Sequence, residues 1–324
     1  MRLITKLAAG AMSIALWTGT VAQAQEFPSE TITMTVPFNA GGGTDTLARI
    51  IQAALEEAWG QTVVVENKPG ASGLVGSMAY LRDSSDGHEI LMASTGSVLS
   101  LAREGQGIKD GKFHVEEVMK PISQVSQPPY IATVHPSLGV SSVQELIEYA
   151  KANPGKINFG SSGVGAASHL TGVLFEQKAG VQLNHVPYNG MGEAGPALLG
   201  GEIDLLFAPA PVVQGYFTDG SLIPLAVTTG EPTSLFPDLP TVSETLEGFA
   251  IAGWFGLFGH PDTSDERIEI LGATIREVLG RSDVKEKMAA RGGEPLPMTP
   301  SDYQAFVNKD IATWRELQAI VDGN

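Results

Sequence analysis

Two stretches of this chain put residues able to do chemistry at the mouth of a helix. Residues 31–60, TITMTVPFNAGGGTDTLARIIQAALEEAWG, set Gly41, Gly42 and Gly43 between a β-like run and a helical pattern. Residues 157–180, INFGSSGVGAASHLTGVLFEQKAG, set a Gly/Ser turn in the same position. A strand-to-helix turn stripped of side chains suits an anion, because the first N–H groups of a helix have no partner and carry the positive end of its dipole.

Catalytic readings of the same residues fail on spacing. GVGAAS (163–168) ends in Ser168 where a dinucleotide fingerprint needs Gly or Ala, and the next strand, VQLNHV, ends near His185 and Pro187 with no acid. Gly41–Gly43 lacks the Lys-Ser/Thr of a P-loop. Ser161 and Ser162 miss the nucleophile elbow because Val164 stands at its last glycine. The six histidines, His88, His114, His135, His169, His185 and His260, show neither H-E-x-x-H nor H-x-H spacing. No catalytic residue, metal or cofactor is therefore expected, and the chain reads as a binder, not an enzyme. Three residues keep two readings each. Asp45 can accept from a ligand or, with Thr44, cap the first helix. His169 can donate into a cleft or bond its own loop. Trp254 can line a cleft or fill the core.

The elements that must position these turns alternate. Strand-like TITMTVPF, TVVVENKPG, HEILMASTGS, INFGSSGVG, VQLNHVPY, IDLLFAPAP and IPLAVTT are interleaved with amphipathic helical runs. Gly60 and Gly180 close two of the helices, and Ser142 with Glu145 opens another. HEILMASTGS reads as a strand running into a polar turn. The alternation predicts parallel-sheet α/β architecture. Two such units, each with a bare turn at strand carboxyl ends, are what a clamp around a small ligand needs.

MRLITKLAAGAMSIALWTGTVAQAQ reads as a secretory leader. Arg2 and Lys6 form its basic start, Leu7 to Trp17 its apolar stretch, and Ala22-Gln23-Ala24 its cleavage site, so residues 1–24 are expected to be removed. The chain has no cysteine, which excludes disulfides, thiolate metal sites and lipid attachment at the cleavage point. The expected location is the periplasm. The formal net charge of −16 becomes more negative by two without Arg2 and Lys6. That balance disfavours nucleic acid and anionic membrane surfaces. About 300 remaining residues suggest two domains.

The motifs PFNAGGGTDTLAR, VVVENKPGASGLVG, SVQELIEYAKANPGKINFGSSGVGAASHL, VPYNGMGEAGPALLGGEIDLLF, PLAVTT, FPDLPTVSE and GWFGLFGHP occur in the order seen in the tripartite tricarboxylate transporter receptor family, the Bug proteins. The chain resembles that family over nearly its whole mature length, apart from residues 97–117. The resemblance implies an α/β, two-domain periplasmic binding protein-like fold (type II) with the ligand cleft between the lobes. Domain one would span 26–127 and 248–324, and domain two 128–247. It implies capture of a small carboxylate, a di- or tricarboxylate or an aromatic acid, for the membrane components of a tripartite transporter, by a monomer. A receptor feeding a two-component signalling system is the alternative. The resemblance assigns ligand contacts to Phe38, Ala40, Gly41, Gly42, Gly43, Thr44 and Asp45. A second first-domain loop is Gly70, Ala71, Ser72 and Gly73, and the turn after the third strand supplies Ser94, Thr95 and Gly96. In the second domain it assigns Ser161, Ser162, Gly163, Ala167, Ser168 and His169 as the carboxylate grip, with Tyr188, Gly190 and the strand end from Asp204 through Ala208 to Pro209 closing the pocket.

Overall fold

The computed structural model describes residues 27–82 and 86–321, so the expected leader lies outside the described residues. In chain order the elements are β1 (Ile32–Val36), α1 (Gly43–Trp59), β2 (Val63–Asn67), α2 (Leu74–Tyr80), β3 (Glu89–Ser94), α3 (Thr95–Arg103), β4 (Ile108–Lys109), β5 (Lys112–Phe113) and β6 (Lys120–Ser126). There follow β7 (Tyr130–Val134), α4 (Val143–Ala152), β8 (Asn158–Ser161), α5 (Ala167–Ala179), β9 (Asn184–Pro187), α6 (Met191–Leu199), β10 (Leu205–Pro209), α7 (Ala210–Val213) and β11 (Ile223–Val227). The chain ends with β12 (Phe255–Gly259), α8 (Asp265–Gly280), α9 (Ser282–Ala289) and α10 (Pro300–Val321).

The strands form two five-stranded sheets, β2-β1-β3-β12-β6 and β11-β7-β10-β8-β9, plus the β4–β5 hairpin. The first takes strands from both ends of the chain and the second only from the middle, giving two lobes. Both sheets are mixed, not purely parallel. β1 runs parallel to β2 and β3, whereas β12 is antiparallel to β3 and β6. In the second sheet β8 is parallel to β9 and β10, and β7 is antiparallel to β10 and β11. The cause is the route between lobes. β7 and β12 each receive the chain at the cleft and must run away from it, against strands that end there. The two crossovers are tied together: Pro129 bridges Ala252, and the Thr228 N–H donates to the Tyr130 carbonyl at 2.9 Å.

Local signals act as the sequence suggests at several helix ends. α1 buries Leu47, Ala48, Ile51, Ala54 and Leu55, one stripe at helical spacing, on the core of the first lobe. Gly60 and Gly180 both stand at φ 62° and end α1 and α5, a conformation other residues rarely adopt. The Ser142 hydroxyl accepts from the Glu145 N–H at 3.2 Å and starts α4. The expected polar turn after β3 is instead the start of α3. Ser94 and Ser97 form a reciprocal capping box there, so the small polar residues that suggest a turn are cap residues.

Candidate functional site

Strands β1, β3, β8, β9 and β10 end at the cleft, and β7 and β12 begin there. Helices α1, α3, α5 and α6 therefore present their N-termini to one space. Gly42 caps α1 and Ala166 caps α5, and neither supplies a side-chain hydrogen bond to its helix. Backbones approach closely here. A Cβ on Gly42 would lie 3.3 Å from the Gly192 nitrogen of the other lobe, and one on Gly43 would lie 3.1 Å from Phe255 Cζ. From Gly96 in α3 the corresponding distance to the Ala167 nitrogen of α5 is 3.8 Å, so two helix N-termini face each other across the cleft.

The space between them is a small cavity of about 30 Å³. Gly42, Gly43, Thr44, Ser94, Gly96, Ser162 and Ala167 form its polar side. Phe38, Tyr130, Met191, Pro209 and Phe255 form the apolar side. Among the described residues lining it there is no Lys, Arg, His, Asp or Glu. Such a site can hold a small anion through N–H and hydroxyl donors at the ends of two or more helix dipoles.

Other expected contacts lie elsewhere, for identifiable reasons. Asp45 is buried, and its carboxylate accepts from the Gly41 N–H (2.9 Å), Arg49 Nε (3.0 Å) and Asn67 Nδ2 (3.0 Å). Burial is the largest single influence and pushes its pKa up, but those hydrogen bonds and the Arg49 charge together outweigh it and hold the pKa below the ordinary 3.8. Asp45 therefore organises the glycine loop from behind, and Gly41 gives its N–H to Asp45. Ala40 is exposed at the rim, its carbonyl against Gly192. Thr95 Oγ1 accepts from the Trp254 N–H at 2.9 Å. Trp254 itself is fully buried and donates to Asp310 at 2.7 Å, while its strand neighbour Phe255 faces the cavity.

The Gly/Ser turn of the second lobe is the main correction. Its donors are used internally. The Ser162 N–H goes to Ser168 Oγ (3.0 Å), the Gly163 N–H to Ser161 Oγ (3.1 Å) and the Gly165 N–H to His169 Nδ1 (3.1 Å). Short polar side chains fold back on their own backbone, as they do in turns generally. Ser161 also meets His185 Nε2 at 2.6 Å. The His169 and His185 rings lie 4.1 Å apart and tilted by 33°, and burial together with the His169 charge lowers the His185 pKa to about 4. Of this turn and helix, Ser162 and Ala167 reach the cavity. Asp204 stands at the far end of β10, accepting from the Asn158 N–H at 2.8 Å, about 17 Å of strand from Pro209. Ala208 is buried in the sheet one residue short of the lining Pro209. Gly96 and Pro209 also line the walls, and Tyr130, Met191 and Phe255 complete them without standing among the expected contacts. The ends of neighbouring strands were the available signal.

Ala71, Ser72, Gly163 and Tyr188 line a separate outer cleft with Arg103, Glu104 and Asn189. Gly70 and Gly73 bracket the Ala71–Ser72 turn at φ 133° and 90°, and Gly190 at φ 149° precedes α6 against Phe38. The lobes meet along this line. Arg103 of α3 donates to the Val164 carbonyl at 3.0 Å, Ser72 Oγ reaches the same carbonyl at 3.4 Å, and Asn39 donates to Glu193. The lobes are closed on each other.

Glu30, Asp86 and His88 have the spacing of metal ligands among the described residues. His88 Nε2 accepts from the Ser29 N–H (3.1 Å), so Nδ1 carries the proton shared with Asp86 (2.9 Å), and neither nitrogen offers a lone pair.

Residues 47–321 match the family model described as "Tripartite tricarboxylate transporter family receptor". The chain belongs to this family. This receptor is 32% identical over 293 residues to Protein BugT of Bordetella pertussis, covering 90% of this chain and 89% of that protein. The solved structure "R. palustris Rpa4515 with adipate" matches at TM-score 0.85 and 30% identity, over 92% of this receptor and 99% of that chain. "MatC (Rpa3494) from Rhodopseudomonas palustris with bound malate" matches at TM-score 0.81 and 25% identity, over 90% and 99%. Structural neighbours of the receptor are periplasmic binding proteins, and no described helix is long and apolar enough to cross a membrane.

Proposed function

We propose that this protein is a periplasmic receptor that captures a small carboxylate and delivers it to the membrane components of a tripartite tricarboxylate transporter. The observation that carries this reading is the facing pair of helix N-termini, α1 with α3 and α5 opposite, without side-chain caps on α1 and α5, around a cavity lined by no charged residue. The adipate and malate held by two relatives are acids of the same class. In this reading the carboxylate oxygens take the donors of the Gly43–Thr44 and Gly96 backbone, Ser94, Ser162 and Ala167. Lobe one comprises 26–127 and 248–324, and lobe two 128–247, acting as a monomer after removal of a leader. The two lobes part to admit the ligand and close on it. No residue in the cavity is placed as a nucleophile or general base, so the function is capture, not turnover.

A carboxylate held this way should bind far better than its amide, which has one acceptor oxygen and no charge. Isothermal titration of a ligand found by thermal shift, against its amide, is expected to give at least a ten-fold difference, about 1.4 kcal/mol. Equal affinities would remove the anion site. Because the donors are buried, moving from low to physiological NaCl should change the dissociation constant only modestly.

A further inference from the structure

We infer that Arg103 is a positioning residue for capture: from the end of α3 in lobe one, its guanidinium fastens the turn before α5, which brings Ser162 and Ala167 to the cavity, and so holds the lobes shut. This rests on the carboxylate-receptor reading and names the contact that keeps its grip in place.

Most polar groups of this turn are satisfied within lobe two. The Ser161 carbonyl accepts from the Tyr188 N–H at 3.0 Å, and the Gly163 carbonyl from the Ala166 N–H at 3.1 Å. The Ser162, Gly163 and Gly165 N–H groups go to side chains of the same lobe. The Val164 carbonyl differs. Among the described residues no group of its own lobe donates to it. Its two donors, Arg103 Nη1 at 3.0 Å and Ser72 Oγ at 3.4 Å, both come from lobe one. The first is charged and the shorter of the two, the stronger kind of hydrogen bond.

The backbone is shaped for this contact. Gly165 stands at φ 73° against the guanidinium, where a Cβ would overlap Arg103 Nη1 and Cζ. Gly163 stands at φ 128°, where a Cβ would overlap Ser72 Oγ. A glycine on each side of Val164 thus clears the way for both donors. Two other polar ties between the lobes, Asn39 to Glu193 and Gln214 to the Ala290 carbonyl, meet lobe two at α6 and just after α7, away from this turn. When the lobes part, Arg103 and the Val164 carbonyl return to water, and Ser162 and Ala167 leave the donors of α1 and α3. Arg103 lies outside the cavity, so it holds the closed form whatever acid is inside.

Closure can be timed directly, because the chain has no cysteine of its own. A Cβ on Gly42 of lobe one would lie 3.8 Å from the Met191 Cβ of lobe two, the separation usual in a disulfide. The pair Gly42→Cys with Met191→Cys therefore cross-links only while the lobes are closed. In the intact mature protein without any carboxylate, the rate of oxidation follows the closed fraction. Arg103 is exposed and its hydrogen bond competes with water, so the expected effect is moderate. Arg103→Met should slow cross-linking about five-fold or more. Lys151→Met makes the same change of net charge on the exposed side of α4 and should leave the rate as it was. Gly165→Ala should slow cross-linking by a clearly larger factor with Arg103 in place than in the Arg103→Met background, because turn strain acts in both and the contact in only one. An unchanged rate in Arg103→Met overturns the inference. So does equal slowing by Lys151→Met, or an equal factor for Gly165→Ala in the two backgrounds. If Gly165→Ala fails to fold, Arg103→Met decides alone. None of these outcomes bears on the preference for carboxylate over amide, which tests the receptor reading separately.

Discussion

Ala167→Asp should leave the protein folded and remove ligand binding. Ala167 is the first residue of α5, and it faces the cavity. An acid in the first turn is favourable to a helix by about 0.3–1 kcal/mol, so stability should hold or rise slightly. The same charge meets the incoming carboxylate. It replaces donors worth about 1.5–3 kcal/mol each to a charged partner with repulsion of like charges. Affinity should fall by about 30-fold or more, since about 2 kcal/mol corresponds to that ratio. Ala167→Asn is the control of equal size without the charge, and it should retain most of the affinity. Titration of both variants, with melting temperatures recorded alongside, settles the matter. If Asp binds as Asn does, α5 does not hold the anion.

The second large effect concerns stability. Asp310 of α10 is mostly buried, and burial pushes its carboxyl from the ordinary 3.8 up to about 6, against the opposing hydrogen bonds from Trp254 and Trp314. A carboxyl with a raised folded pKa is harder to ionise folded than unfolded. The penalty is absent below about pH 4, grows as pH rises towards 6, and is complete above it. Two pH units of displacement amount to about 3 kcal/mol, in order of magnitude. Asp310→Asn keeps an oxygen to accept from Trp254 and removes the ionisation. Urea unfolding should show the variant gaining about 1–3 kcal/mol over the wild type at pH 7.5 and little or nothing at pH 4. A constant difference across that range would mean that the carboxyl does not titrate where its surroundings place it.

Much of the scaffold was legible because it is local. Gly60, Gly180 and Ser142 mark helix ends through backbone conformation and capping, and both act within a few residues. The bare turns before α1 and α5 were visible because glycine and serine runs between a strand and a helical pattern are local features too. The walls were harder. Trp254 and Phe255 are adjacent aromatics at the entry to β12, and only the way the chain enters that strand decides that the first goes to the core and the second to the cavity. Tyr130 arrives through strand order, which no local pattern encodes. The Gly/Ser turn misled for a chemical reason: Ser161, Ser168 and His169 can satisfy a ligand or their own loop, and the loop is always present. Asp204 was misplaced by the length of one short strand.

The C-terminal helix has a mechanical consequence. α10 packs on β6 of the first lobe and also on α5 of the second, the helix whose tip faces the ligand. A side seam of this kind acts as a fulcrum. If the tip of α5 swings to admit a ligand while its flank stays seated on α10, the apolar surface along the seam is covered before and after capture. Closure then hides little new hydrocarbon from water. The heat capacity change on ligand binding, measured by calorimetry at several temperatures, should accordingly be small, because that quantity follows newly buried apolar area. A large negative value would show the seam opening together with the cleft.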